Sequence, residues 1–198
     1  MNEKILKTSQ LVVGCISAMV GIFFLILSIM TLTNLSGENS ALANVYLVLI
    51  AILGLAFVAL MVFVSLYTIK GFVKNVDERK WVLYAICGFL CYEVLSSVLT
   101  LCCINVSSAL LWIVTIFSLA GLIVIALSIY GSFDQLVKAV LEFFGCGIAF
   151  VIAIIAMANS GGLNISANLF VMFNMMACGV YLAFDLVNKQ DKKPVTEE

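Results

Sequence analysis

Six long apolar runs divide this sequence, and they leave few ways for it to fold. The runs cover residues 11–32, 45–69, 81–103, 109–133, 139–158 and 169–187. A helix needs about 20 apolar residues to cross the roughly 30 Å of hydrocarbon in a bilayer, because it rises about 1.5 Å per residue. The strands of a membrane barrel instead alternate polar and apolar residues over about 10 positions. The pattern therefore predicts an all-α, polytopic membrane protein with six transmembrane helices.

The composition agrees with this interpretation and excludes a separate soluble domain. Hydrophobic residues make up 64% of the 198 residues and charged residues 11%, against about 45–50% and about 25% in soluble proteins. Only short segments connect the runs, so we expect a single membrane domain over residues 1–198 that ends in a short polar tail at 188–198. The expected location is a membrane, which the chain crosses several times, and the cell membrane if the source is bacterial. Its expected partner is the lipid bilayer.

The basic residues predict the orientation of the helices. All ten Lys and Arg residues lie before the first run, between the second and third, between the fourth and fifth, or after the sixth. The three alternate connections, residues 33–44, 104–108 and 159–168, contain none. Segments rich in Lys and Arg stay on the cytoplasmic side of a membrane. Both termini are therefore predicted to be cytoplasmic.

The three connections without basic residues share a short motif. Each contains Asn, an apolar residue and Ser, at residues 34–36, 105–107 and 164–166. Together with similar spacings in the flanking runs, this favours three copies of one helical hairpin arranged as a parallel repeat. The same triplets are glycosylation acceptors in a secretory pathway, but two lie close to the membrane, and polar turn chemistry is the favoured interpretation.

Glu93 is the most informative polar residue, because it lies near the middle of the third run. A charge at that depth costs about 2.5–3.5 kcal/mol on insertion scales, so the side chain should face other helices. Ser97 and Thr100 follow it at i+4 and i+7, which places all three on one helix face. We interpret Glu93, Ser97, Thr100 and Asn174 as a candidate binding site for a proton, a cation or another ligand.

A structural role is the alternative interpretation of Glu93. In that case its carboxyl group is protonated and hydrogen-bonded to another polar group, for example Asn174 or Tyr92, and the bond holds helices together. Residue pattern alone leaves both interpretations open.

Three other acids, Asp134, Glu142 and Asp185, lie near the predicted cytoplasmic ends of the runs. We expect them to be interfacial acids that reach water beside Lys138 and Lys189.

Several functional classes are disfavoured. The chain has no histidine, and its seven cysteines include no Cys-x-x-Cys pair in an aqueous loop, so no metal site or cofactor is predicted. A net charge of −1 argues against nucleic-acid binding. No nucleophile with a base and no phosphate-binding loop is apparent, so the chain is not expected to be an enzyme.

Small residues recur at fourfold spacing and predict closely packed helices. Such ladders allow two helix backbones to approach each other, either within one chain or between a chain and a partner. The sequence therefore predicts close packing, with a homo-oligomer or a membrane-protein partner as the alternative use of these faces. The ladders are Gly14 and Ala18, Ser17 and Gly21, Gly145 with Ala149 and Ala153, and Gly179 and Ala183.

Two functional hypotheses follow from these features. The first is a small non-enzymatic membrane protein that organises, senses or protects the membrane or a partner protein, which the short loops and scarce polar residues favour. The second is a compact transporter, a substrate-binding membrane subunit or a channel, in which Glu93 is the site of a proton, cation or ligand. They differ in whether a water-accessible cavity reaches Glu93.

Overall fold

A computed structural model describes residues 3–36, 39–74, 79–104 and 108–191 of the chain. The described residues are all-helical, which confirms the predicted fold class. The six helices are α1 (Glu3–Thr33), α2 (Ala41–Lys74), α3 (Arg79–Cys103), α4 (Ala109–Tyr130), α5 (Gln135–Ala158) and α6 (Leu163–Asp191). Each contains a segment of 22 to 30 residues that is long and apolar enough to cross a membrane.

Most of the helices extend beyond the apolar runs that predict them. Helix α1 begins eight residues before its run, and α6 begins six residues before its own. Polar residues are tolerated in these extra turns because the ends of a membrane helix lie among headgroups and water. Helix α4 instead ends early, at Tyr130, where Gly131 turns the backbone into an extended conformation.

Local residues account for the starts of α4 and α6. Ser108 caps α4 by accepting a hydrogen bond from the Leu111 backbone N–H at 3.3 Å, as serine commonly does at this position. Gly162 has a positive φ of 57° between α5 and α6, a conformation that glycine adopts without steric cost. These two residues keep the connections short.

The helices form a closed ring in chain order. Each helix packs against the next, and α6 packs against α1. Helix α3 also contacts α5 and α6, so it touches four other helices and lies partly inside the ring. Its buried side chains include Ile86, Phe89 and Leu90, which are fully enclosed.

The ring has two ends, which we name by the connections they contain. The terminal end holds the start of α1, the end of α6, and the α2–α3 and α4–α5 connections. The opposite end holds the α1–α2, α3–α4 and α5–α6 connections. The assignment of the terminal end to the cytoplasm stays a prediction, as does the origin of the three hairpins as copies of one unit.

The small-residue positions lie in helix contacts within the chain. A side chain added at Gly14 of α1 would meet Thr68 Oγ1 of α2 at 2.6 Å, and one at Gly179 of α6 would meet Cys146 Sγ of α5 at 3.4 Å. Ala149 and Ala153 of α5 are both fully buried. Association with another chain through these faces stays a prediction.

Aromatic residues cluster at the terminal end, between α2 and α3. The rings of Tyr67 and Trp81 stack with centroids 4.1 Å apart, and Tyr84 packs edge-on against Trp81. The Lys70 ammonium group lies 5.4 Å from the centre of the Tyr67 ring. Such amphipathic clusters are typical of the headgroup region of a membrane.

Candidate functional site

Helix α3 carries three of the four predicted site residues. Glu93 is 8% exposed and Ser97 is 3% exposed, so both face the other helices, as expected for polar groups at this depth. Thr100 lies two turns beyond Glu93, towards the opposite end. Its hydroxyl contacts Tyr46 of α2, with the two oxygens 3.2 Å apart.

A polar cavity of about 450 Å³ reaches Glu93 from the opposite end of the ring. We call this cavity the vestibule. Five helices contribute to its wall, and its outer part is lined by the exposed residues Asn159 and Asn164. The polar residues along it are Ser28 and Thr31 of α1, Tyr46 of α2, Tyr92, Glu93, Ser96 and Thr100 of α3, and Asn159, Ser160, Asn164 and Asn168 around the α5–α6 connection.

A second, smaller cleft borders Glu93 between α3, α4 and α5. It encloses about 350 Å³ and shares Glu93, Ser96, Thr100 and Asn159 with the vestibule. Ser97 lines only this second cleft. Glu93 therefore borders two cavities, the polar vestibule and this mostly apolar cleft.

The hydroxyl groups of the vestibule present mainly hydrogen-bond acceptors to the cavity. Ser28, Thr31, Ser96, Thr100 and Ser160 each donate their proton to a backbone carbonyl three or four residues earlier, at 2.5 to 3.2 Å. A hydroxyl that donates in this way keeps its lone pairs for another partner.

Two amide groups at the mouth of the vestibule also use one N–H each within the chain. The Asn159 side-chain amide donates to the Ile155 carbonyl at 2.7 Å. The Asn168 amide donates to the Ser160 hydroxyl, also at 2.7 Å. Because the Thr100 proton is already used, Tyr46 is the donor in the bond between these two hydroxyls. The wall therefore favours a ligand that is positively charged or rich in donors.

The Glu93 carboxyl group forms no hydrogen bond or ion pair with any residue that the structure describes. Every Lys and Arg in the described ranges lies at the terminal end. Burying a carboxylate without a partner is costly. A ligand, a proton or water is thus needed to satisfy this group.

Asn174 lies apart from the other three predicted site residues. It lines neither the vestibule nor the second cleft. Its side-chain oxygen accepts a hydrogen bond from Ser17 of α1 at 3.2 Å, and its amide nitrogen lies 4.0 Å from the Met61 sulfur of α2. Asn174 thus connects three helices and does not bond to Glu93.

A second polar cluster, which the sequence did not predict, lies at the terminal end. Arg79, at the start of α3, forms ion pairs with Glu142 of α5 and with Asp185 of α6. The bond to Asp185 joins Nη1 and Oδ2 at 2.7 Å. Ser128 of α4 donates to the other oxygen of Glu142 at 2.8 Å. One guanidinium group and two carboxylates therefore tie four helices together.

The expectation that Glu142 and Asp185 reach water at the interface is wrong; the Lys189 side chain, expected beside Asp185, lies outside the described residues. Both acids are 3% exposed and face inward to Arg79. Asp134, in contrast, is exposed immediately before α5. The distance of an acid from the end of its apolar run does not determine its exposure here, because α5 and α6 extend past those ends.

One sequence signal could have found the terminal cluster. Arg79 is the single arginine of the chain. Its planar group has several donors in a fixed fork and can bind two carboxylates at once, which lysine does less well. A lone arginine among nine lysines, next to a membrane span, indicates a specific partner and not only a topological charge.

Comparison with models of known protein families, with characterised proteins and with solved structures finds no match for this chain.

Proposed function

We propose that this chain is a non-enzymatic membrane protein that binds a small cation in the vestibule, with Glu93 as the counter-ion. The cation is an inorganic ion or a protonated amine. The chain acts as a compact transporter or as the substrate-binding subunit of one.

One observation carries the proposal: a carboxyl group without a partner among the described residues borders a polar cavity. The cavity volume of about 450 Å³ falls within the usual range for small-molecule sites. The Ser and Thr hydroxyls whose protons are bonded to backbone carbonyls can only accept from a ligand. Charge and hydrogen bonding therefore both favour a cationic ligand.

The difference between the two ends of the ring supports ligand access to the vestibule from the opposite end. The vestibule reaches the surface at the opposite end, whereas Arg79, Glu142 and Asp185 join the helices at the terminal end. If the positive-inside rule holds for this chain, its termini are cytoplasmic and the ligand enters from the non-cytoplasmic side. In a bacterium this would be the outer face of the cell membrane.

The first hypothesis from the sequence, a protein that organises, senses or protects the membrane or a partner, does not require a cavity at Glu93. The vestibule is the reason to favour binding and transport over it.

A thermal-stability series tests the binding. The purified protein is heated in detergent with sodium, potassium, ammonium or methylammonium chloride, and N-methylglucamine chloride at the same ionic strength serves as the reference. A cation present at 100 times its Kd stabilises the folded state by about 2.7 kcal/mol. We expect at least one small cation to raise the Tm by several degrees, and Glu93→Gln to remove that rise.

Ser118→Ala is the matched control, because Ser118 is also a buried polar residue but lines neither cleft. It should keep the cation-dependent rise in Tm. If none of the small cations stabilises the wild-type protein above the reference, the proposed binding site is wrong.

Flux measurements separate transport from binding alone. In reconstituted vesicles, a transporter should move the cation identified above, and Glu93→Gln should abolish that movement. Binding without flux in the wild type would restrict the role to that of a substrate-binding subunit.

A further inference from the structure

A lipid-facing groove runs between α1 and α6 in the terminal half of the ring. It encloses about 510 Å³, and its wall is almost entirely apolar. Val12 of α1 and Phe173, Val180 and Phe184 of α6 are among the residues that line it. The groove is separate from the vestibule, and none of its lining residues borders Glu93.

The length of the groove matches one leaflet of a bilayer. On α6, where all its lining residues are apolar, it extends from Phe173 to Phe184, which corresponds to about 16 Å along the helix axis. Half of a typical hydrocarbon core is about 15 Å thick. A single acyl chain that enters from the headgroup level would therefore lie along most of the groove.

Polar groups occur only at the end of the groove where a headgroup would lie. They are Lys4, Thr8 and Ser9. The Thr8 and Ser9 hydroxyls donate to the Lys4 and Leu6 carbonyls, both at 2.7 Å. The exposed Lys4 ammonium group, which pairs with no described acid, is thus the donor available to an anion.

A groove of almost the same size between α4 and α5 provides an internal comparison. It encloses about 500 Å³ and is lined by residues such as Phe117, Phe144 and Val151. All the described residues that line it are apolar. An acyl chain fits either groove, but only the α1–α6 groove offers a charged partner to a headgroup.

We propose that the α1–α6 groove is a binding site for an anionic phospholipid, with the phosphate at Lys4 and one acyl chain along the groove. The charge of Lys4 determines the preference for the headgroup, and the apolar wall holds the chain. Basic residues near a membrane surface attract anionic lipids in this way. The proposal does not depend on the function of the vestibule.

Lipid analysis tests the site. The full chain is reconstituted in vesicles of equal parts phosphatidylglycerol and phosphatidylcholine, extracted in mild detergent, and analysed for retained lipid by native mass spectrometry. We expect phosphatidylglycerol to be enriched about fivefold over phosphatidylcholine, the preference that one lysine near the surface provides. Lys4→Gln should bring the ratio close to that of the vesicles, whereas Lys138→Gln, outside the groove, should not.

A second pair of variants locates the lipid. Val180→Trp fills the α1–α6 groove and Val151→Trp fills the α4–α5 groove, and these side chains are 44% and 53% exposed, so both changes avoid the core. Loss of retained phosphatidylglycerol in Val180→Trp alone supports the proposal. The proposal is wrong if the wild type shows no enrichment, if Lys4→Gln keeps it, or if both tryptophan variants reduce it equally.

Discussion

The two ends of this protein differ in the partners that they provide to a buried carboxyl group. Glu142, at the terminal end, accepts hydrogen bonds from Arg79 and Ser128 and lies 3% exposed among four joined helices. Glu93 is buried almost as deeply, at 8%, but borders two cavities and has no described partner in the chain. The two carboxyl groups are therefore similarly buried, but only Glu142 has hydrogen-bond and ion-pair partners among the described residues.

This difference distinguishes Glu142, which joins helices, from Glu93, which we propose to bind a ligand. A charge in a membrane must be compensated, and the chain compensates Glu142 with its own arginine. At Glu93 the surrounding hydroxyls offer oxygen atoms and no cation, so compensation comes from outside the chain. The depth of an acid alone does not indicate which role it has.

Of the changes considered, removal of the Arg79 guanidinium group should have the largest effect on stability. Arg79→Gln leaves Glu142 and Asp185 buried without their guanidinium partner. Loss of one member of a buried ion pair typically costs about 3–5 kcal/mol. We expect a marked fall in Tm in detergent, measured by the loss of helical circular dichroism.

Lys80→Gln provides the control, since Lys80 is the adjacent basic residue and is exposed. It should unfold like the wild type. Equal Tm values for the two variants would show that the terminal cluster does not stabilise the fold.

A lysine introduced next to Glu93 should give this carboxyl group a partner within the chain, as Arg79 does for Glu142. Ser97 lies one turn from Glu93, and both line the second cleft. A lysine at position 97 can therefore pair with the Glu93 carboxylate at i,i+4. We expect Ser97→Lys to weaken cation binding about tenfold or more, which corresponds to about 1.4 kcal/mol. The shift in Tm with cation concentration measures this change.

Ser97→Met adds similar bulk without a charge and should weaken binding much less. If both substitutions reduce binding equally, then the added bulk in the second cleft, and not the charge, explains the effect.

The smallest effect is expected at the rim of the vestibule. Tyr46→Phe removes the hydroxyl that contacts Thr100. The Tyr46 hydroxyl donates to Thr100 and keeps its lone pairs for the ligand; one such bond to the ligand contributes about 0.5–1.5 kcal/mol, so cation affinity should fall by a few fold while the fold remains intact. Titration of the purified variant against the wild type measures the difference, and a loss as large as that of Glu93→Gln would contradict the role assigned to Glu93.

The sequence was sufficient for features that depend on one helix at a time. The six helices follow from the length of the apolar runs, since a bilayer demands about 20 such residues. Glu93 and Thr100 line the same cavity because they are seven residues apart on one helix.

Contacts between side chains of different helices could not be predicted from the apolar runs. Asn174 bonds to Ser17 and not to Glu93, because the rotation of α6 about its axis turns it towards α1. The pairing of Arg79 with Glu142 and Asp185 joins residues 63 and 106 positions apart. Hydropathy records how deep a residue lies along the membrane normal, but not which neighbour it meets.

Helix α3 carries both Arg79 at its first turn and Glu93 within its length. Fourteen residues separate them, or about 21 Å along a stiff rod. Any tilt or slide of α3 near Glu93 would therefore also displace the Arg79 guanidinium group and its two ion pairs. In the proposed function, the helix that binds the cation is also joined to α5 and α6 through Arg79, so binding near one membrane face would be coupled to the ion pairs at the other.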